Sequence, residues 1–299
     1  MPQRRGALPV SDAEALCSPD AYARGVPYER LDRLRARTPV VWMNGLRGGR
    51  GAWAVLRHAD VRYALEHPEL FAPEFGEMLH GPTAGEERGR PAHDDAPADA
   101  EGPAALDLRF DMDPPELVGR VAAGGVDFVT DVVADLPETL RNTLAGGLWA
   151  LLRNPAAHDL LRGDAALLDA AVEEVLRWWT PVLRVPRTVL RPTSLGGVPL
   201  LAGEHVALWL AAADHDAAAF PDPGRFLPER FADGTAPPHL AFGHGVRSCL
   251  GERLARVHLR ALMAALLNRP GRPVLAGEPI PLRSSARHGF ARLPVRWTG

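Results

Sequence analysis

The chain has 299 residues, 46% of them hydrophobic, and a formal net charge of -3 at pH 7. That is ample apolar material for a packed core, while the faintly acidic balance excludes the broad basic surface that binds nucleic acid. No apolar run reaches bilayer length, and the start Met-Pro-Gln-Arg-Arg lacks the apolar core of a signal peptide. The expectation is a cytoplasmic protein with no membrane and no nucleic-acid partner. Two cysteines, Cys17 and Cys249, make no disulfide framework, and all the basic side chains are arginine.

Residues 1–27 read as a surface-hugging leader. Tyr28–Arg37 has the spacing of a short helix. Pro39–Met43 and Ala52–Leu56 read as two strands around the Gly-rich stretch Asn44–Gly51, with Trp42 and Trp53 as packing residues. His58–His67 reads as a helix burying Val61, Ala64 and Leu65. Pro73–Leu108 is rich in Gly, Pro, Ala, Asp and Glu, as expected of a mobile loop or an unstructured connector. Gly125–Ala134 is apolar and fits a helix or a strand.

Pro137 is badly placed for a helix interior but suits a first turn, so a helix is expected to begin there and to run through Trp149. Leu148–Asn154 and Ala157–Arg162 continue as helix across a break at Pro155, and Asp164–Trp179 follows as a longer one. Arg184–Leu190, Thr193–Pro199 and His205–Leu210 alternate like strands, with Gly196-Gly197 and Ala202-Gly203 as turns. The tail Ser284–Trp297 reads as a terminal hairpin.

The most informative stretch is Phe242-Gly-His-Gly-Val-Arg-Ser-Cys-Leu-Gly251. After it, Leu254, Val257, Ala261, Leu262 and Ala265 recur at helical spacing, so a helix starts just past Cys249 and buries that face. The N-terminal end of a helix stabilises a thiolate, which is a soft metal ligand. Gly243, Gly245 and Gly251 clear side chains from around it, so the backbone can lie against something flat and bulky. One cysteine cannot close a zinc site, and His239, His244, Cys249 and His258 match no zinc spacing, but one axial thiolate suffices for heme iron. Arg247 is placed to meet a carboxylate at the rim of such a ligand.

This run resembles the heme-binding loop of the cytochrome P-450 superfamily, Phe-Gly-x-Gly-x-(Arg or His)-x-Cys-x-Gly, with every fixed position filled. The resemblance implies a mainly α fold with a small β-sheet region, in one domain over residues 1–299. It would comprise an N-terminal helix and hairpin part (1–72), a flexible loop (73–110) and a heme-binding core (137–299). It implies heme b, iron protoporphyrin IX, with Cys249 as axial metal ligand. Phe242, Gly243, Gly245, Arg247, Gly251 and Arg187 would bind the cofactor, Arg187 and Arg247 through its propionates.

Glu174-Val-Leu-Arg177 matches the family's Glu-x-x-Arg, and Phe220–Phe231 supplies the third member, Arg230. The implied role is structural: one buried carboxylate shared by two guanidinium groups locks this stretch beneath the cysteine loop. Glu138 and Thr139 occupy the positions of the acid-alcohol pair that relays protons to bound dioxygen. Asp135, Leu136 and Pro137 replace the small residues that usually precede that pair. After Asp111–Glu116, Leu117 and Val121 stand where the family has a propionate-binding His and Arg. Two blocks of the family pattern are thus missing, one after Glu116 and one before Pro137. The tip near Ala286–Phe290 is expected to line the substrate pocket.

The resemblance implies a monooxygenase that inserts one oxygen atom from dioxygen into a small apolar organic substrate. Electrons would come from a ferredoxin or flavoprotein docking near Arg253, Arg256 and Arg260. Two alternatives stay open: a heme-binding protein that is catalytically impaired, and a non-catalytic activator of a partner enzyme.

Overall fold

The computed structural model describes residues 16–44, 51–73, 113–122 and 125–298. The expected loop from 74 onward, the stretch 45–50 and residues 1–15 of the expected leader lie outside them.

The N-terminal part forms as its hydrophobic pattern dictates: a helix Tyr28–Arg37, strands β1 (Val40–Met43) and β2 (Ala52–Val55), and a helix His58–Glu66. Leu16, Cys17 and Tyr22 are buried with Leu31, Val41 and Met43, so the segment before the first helix is built into a core. Trp42 and Trp53 are cross-strand neighbours with their rings edge to face at 5.3 Å.

The N-terminal strands join the later chain in one sheet. With β3 (Phe71–Pro73), β5 (Val185–Val189) and β8 (His205–Leu208), the order is β1-β2-β8-β5-β3; β2 and β8 run parallel and the other neighbours antiparallel. Gly196 and Gly197, at φ +54° and +79°, make the turn between β6 (Thr193–Leu195) and β7 (Val198–Leu200) that their sequence suggests.

The helical side is built on Glu138–Arg153, Pro155–Gly163, Leu168–Trp179 and Glu252–Asn268. Pro137 caps the first of these, which starts one residue later than expected. Asn154 ends it before Pro155, which can occupy a first turn but not a helix interior. The helix faces are close because Gly146 abuts Trp179 and Gly147 abuts Leu259; a Cβ would lie 2.2 Å and 2.5 Å from those side chains. Among the described residues, no helix is long and apolar enough to cross a membrane.

Four expectations change. The Gly125–Ala134 segment is both a short strand, β4 (Val126–Asp127), and a wide helical turn, Phe128–Val132. Asp127 permits the switch, because its carboxylate accepts from the amides of Val129, Thr130 and Leu293. The tail is not one hairpin: β11 (Phe290–Arg292) pairs with β10 (Ile280–Pro281), whereas β12 (Pro294–Thr298) lies between β4 and β9 (Arg272–Leu275).

The helix after Cys249 begins at Glu252 and buries His258, Leu259, Leu262, Met263, Leu266 and Leu267. Of the stripe read from the sequence only Leu262 is fully buried, and Val257 is exposed, because apolar residues flank the true stripe on both sides. Finally, the tip Ala286–Phe290 expected on the pocket is not among its lining residues: His288 is buried, and the tip is bonded to Thr180–Leu183, with Leu183 N–H donating to the Ala286 carbonyl and His288 N–H to that of Pro181.

Candidate functional site

A cavity of about 520 Å³, open on one side, lies where the β-sheet, the central helix and the cysteine loop meet. Leu140 and Thr143 of the central helix, Val185 of β5 with Val182 and Leu210 nearby, and Phe242, Gly243, Leu254 and Ala255 around the loop contribute to a mainly apolar wall. Such a volume is in the range of small-molecule and cofactor sites.

Cys249 faces this cavity from the turn before the Glu252–Asn268 helix, and it is exposed. The loop that carries it is tightly bonded: Cys249 N–H donates to the Phe242 carbonyl at 2.9 Å, Gly243 N–H to Leu240, and Ser248 N–H to Gly245. Gly243 and Gly245 hold φ of +76° and +73°, a region that side chains disfavour. At Gly243 a Cβ would meet nothing closer than the Arg247 carbonyl oxygen at 3.9 Å, whereas at Gly245 it would press on Leu65 backbone at 3.3 Å. Gly251 also borders the cavity, next to the Cys249 sulfur.

Arg187, on β5, and Arg247, in the loop, line the same cavity. Burial and the neighbouring Arg247 charge both pull the Arg187 pKa down from its ordinary value. Neither guanidinium has a carboxylate partner among the described residues. Two convergent cations beside a thiol and an apolar wall form a donor set suited to a flat, apolar group with two carboxylates and a metal centre. The residues present therefore fit a heme with its propionates.

The acid-alcohol pair divides. Thr139 lines the cavity, but Glu138 is about half exposed and lies 3.9 Å from Arg287, outside the lining set. Thr143, one turn on, is a lining residue that the sequence did not single out; its hydroxyl donates to the Thr139 carbonyl at 2.8 Å. On the Pro114–Ala122 helix, Val121 is fully buried in the helical core and Leu117 packs against it. The neighbouring Arg120 donates to the Val132 carbonyl at 3.3 Å.

Beneath the loop the expected ion cluster is complete. Arg177 meets the fully buried Glu174 carboxylate twice, at 2.7 and 2.8 Å, and Arg230 reaches it at 3.1 Å. Leu227 N–H also donates to Glu174, while Arg230 donates to Pro221 and Asp222 carbonyls, so the Phe220–Phe231 stretch is tied from several sides. Asp214 adds a second buried carboxylate, accepting from Leu240 N–H and the Thr180 hydroxyl; burial raises its pKa.

The histidines around the loop go separate ways, and no group of three or more His, Cys, Asp or Glu side chains that could hold a metal ion occurs among the described residues. His244 contacts Glu66, His258 bonds to the Leu254 carbonyl, and His239 reaches Glu173. Cys17 is buried and its pKa rises to about 11, chiefly through burial, which leaves it an inert thiol.

Residues 153–270 match the family model for cytochrome P-450. The steroid C26-monooxygenase of Mycolicibacterium smegmatis is 40% identical over 163 residues, covering 54% of this chain and 40% of the relative. The cytochrome P-450 monooxygenase PikC of Streptomyces venezuelae is 41% identical over 166 residues, again 54% of this chain and 38% of the relative. The matching region thus spans about two fifths of the length of these relatives. The crystal structure of CYP108D1 from Novosphingobium aromaticivorans superposes with a TM-score of 0.79 at 25% identity, covering 98% of this chain and 99% of that one. With the cysteine loop and the buried Glu174 cluster in place, residues 153–270 are similar to the cytochrome P-450 family, and the fold is similar to that of CYP108D1.

Proposed function

We propose that the chain binds heme b through Cys249 and acts as a heme-thiolate monooxygenase on a small apolar organic substrate, with electrons from a ferredoxin or flavoprotein. The observation that carries this is Cys249 on the wall of an apolar cavity also lined by Arg187 and Arg247, neither of which has a carboxylate partner among the described residues. Bound there, heme would supply the oxygen-activating chemistry.

The protein's own contributions follow from its residues. Cys249 would be the axial ligand, and Arg187 and Arg247 would take the propionates. Phe242 and the backbone at Gly243 would flank the flat face. Leu140, Val182, Val185 and Leu210 would exclude water and accept apolar substrate. Thr139, on the cavity wall, would hold a proton near the reacting group, and Glu138 would feed it from solvent.

Of the three arginines expected at a donor-docking face, Arg253 is exposed, while Arg256 is paired with Glu173 and Arg260 with Asp169. Docking of a ferredoxin or flavoprotein would therefore rest most on Arg253. A second reading, a heme-binding protein with impaired turnover, is favoured by one observation: Glu138 lies off the cavity and faces Arg287.

The test is the absorption spectrum of the reduced, carbon monoxide-bound protein, for the native chain and for Cys249→Ser. A thiolate-type Soret band in the native protein, lost in the variant, is expected. Equal heme uptake and an unchanged band in the variant would overturn the assignment. Product formation with a surrogate electron donor then separates turnover from binding alone.

A further inference from the structure

Glu173 stands one residue before the Glu174 anchor, on the same helix, yet its carboxylate serves the cysteine loop. Its Oε1 accepts from Arg256 Nε at 2.7 Å; its Oε2 accepts from Arg256 Nη2 at 3.1 Å and lies 3.1 Å from His239 Nε2. His239 is on the chain entering the loop and Arg256 on the helix leaving it, so one carboxylate grips both ends of the segment that presents Cys249.

The contacts continue inward. Ala241 N–H donates to His239 Nδ1 at 3.3 Å, which leaves Nε2 as the nitrogen that donates to Glu173. The Arg256 guanidinium, held flat by two bonds to Glu173, lies 4.9 Å from the ring centroid of Phe242. The carbonyl of that same Phe242 accepts from the amide of Cys249. A continuous path of hydrogen bonds and ring contact therefore links Glu173 to the backbone of the thiol-bearing residue.

We propose that Glu173 is a positioning residue: through His239 and Arg256 it fixes the register in which the loop presents Cys249 to the cavity. Its duty differs from that of Glu174, whose partners are Arg177, Leu227 and Arg230 rather than the cysteine loop. Burial works against the Glu173 charge, but the bonds from His239 and Arg256 outweigh it and hold the carboxyl at about 2. The clamp thus stays ionised through neutral and mildly acid conditions. What Cys249 holds rests on the proposed function; the clamp itself is a property of the heme-free chain.

The experiment is amide hydrogen exchange on the heme-free protein, comparing the native chain with Glu173→Gln, which keeps the shape and removes the charge. The amides of Gly243, Ser248 and Cys249 should exchange on the order of tenfold faster, as for a lost charge-assisted hydrogen bond. Those of Leu227 and of His205–Leu208 should keep native rates. Arg256→Gln, which leaves the His239 contact in place, should reproduce part of the effect, and the double variant should be no worse than Glu173→Gln alone, since that change already weakens both links. In the heme-loaded variant, part of the reduced carbonyl complex should lose its thiolate-type Soret band.

Native exchange rates across 240–251 in Glu173→Gln would overturn the proposal, as would a uniform rise over all segments, which marks a general loss of stability. If the native protein takes up no heme, the proposed function fails while the exchange result still decides the clamp.

Discussion

Arg187 and Arg247 line one cavity closely enough for the Arg247 charge to add to burial in lowering the Arg187 pKa, and that repulsion is a cost the fold carries until an anion arrives. The direction of each variant's effect follows. Arg247→Ala should leave the heme-free protein at least as stable as the native chain, because it removes a repelling charge without breaking an ion pair among the described residues. The same variant should weaken heme uptake roughly tenfold, the worth of a charge-assisted hydrogen bond on a partly exposed site. Parallel melting curves and heme titrations check this; a variant that loses stability but keeps its heme affinity would contradict it. By the resemblance, Leu117 and Val121 stand where the family has further propionate ligands, which would leave that task to these two arginines; Val121 is buried in apolar company.

At the scale of elements, the central helix Glu138–Arg153 is fixed by what its glycines allow. A Cβ on Gly146 would lie 2.2 Å from the Trp179 ring, and Trp179 is itself stacked on His288 at 3.6 Å. Gly146→Ala gains up to ~1 kcal/mol of helix propensity but incurs overpacking of about 1–3 kcal/mol, here at the upper end because a ring must shift. A net loss near 2 kcal/mol should lower the melting temperature by about 4–8 °C. Gly163→Ala, with open space around it, should not lower it. Equal effects in the two variants would show that the close approach is unimportant.

The same elements show what could be read in advance. The strands around Trp42 and Trp53, the Gly196-Gly197 turn and the break at Pro155 each follow from local chemistry, and each is where the sequence puts it. The Phe242–Gly251 pattern located the cavity, and the Glu174, Arg177 and Arg230 spacing located its support. Other features depend on partners distant in sequence. The face of the Glu252–Asn268 helix is chosen by Gly147 and the other helices, not by its own periodicity. The pairing of β12 with β4 and β9 is decided across the whole chain. Glu173 was hidden beside Glu174 because only folding brings Arg256 and His239 to it.

For the molecule as a whole, buried histidines set the response to acid. His288 is buried, bonded to the Trp179 carbonyl and held down to about 4 by burial; His215, stacked on Tyr28, is also pushed well below its usual value by burial. Each is neutral in the folded state and takes up a proton more readily when unfolded. Their contribution is therefore intact above about pH 6.5 and is lost as pH falls from there toward about 4. For His288 a depression from 6.5 to about 4 corresponds to about 3 kcal/mol at 1.36 kcal/mol per pKa unit. Glu173, lowered rather than raised, acts in a separate window: its stabilisation is present above its ordinary value of 4.5 and fades as pH falls toward about 2. Asp60 and Asp214, both raised chiefly by burial, work in the opposite sense and partly offset the loss. Denaturant unfolding of the native chain should therefore show stability declining from pH 6.5 to 4, while His288→Gln, less stable at pH 7, should give a shallower decline over that range. Parallel slopes for the two proteins would show that protonation of His288 does not drive the acid transition.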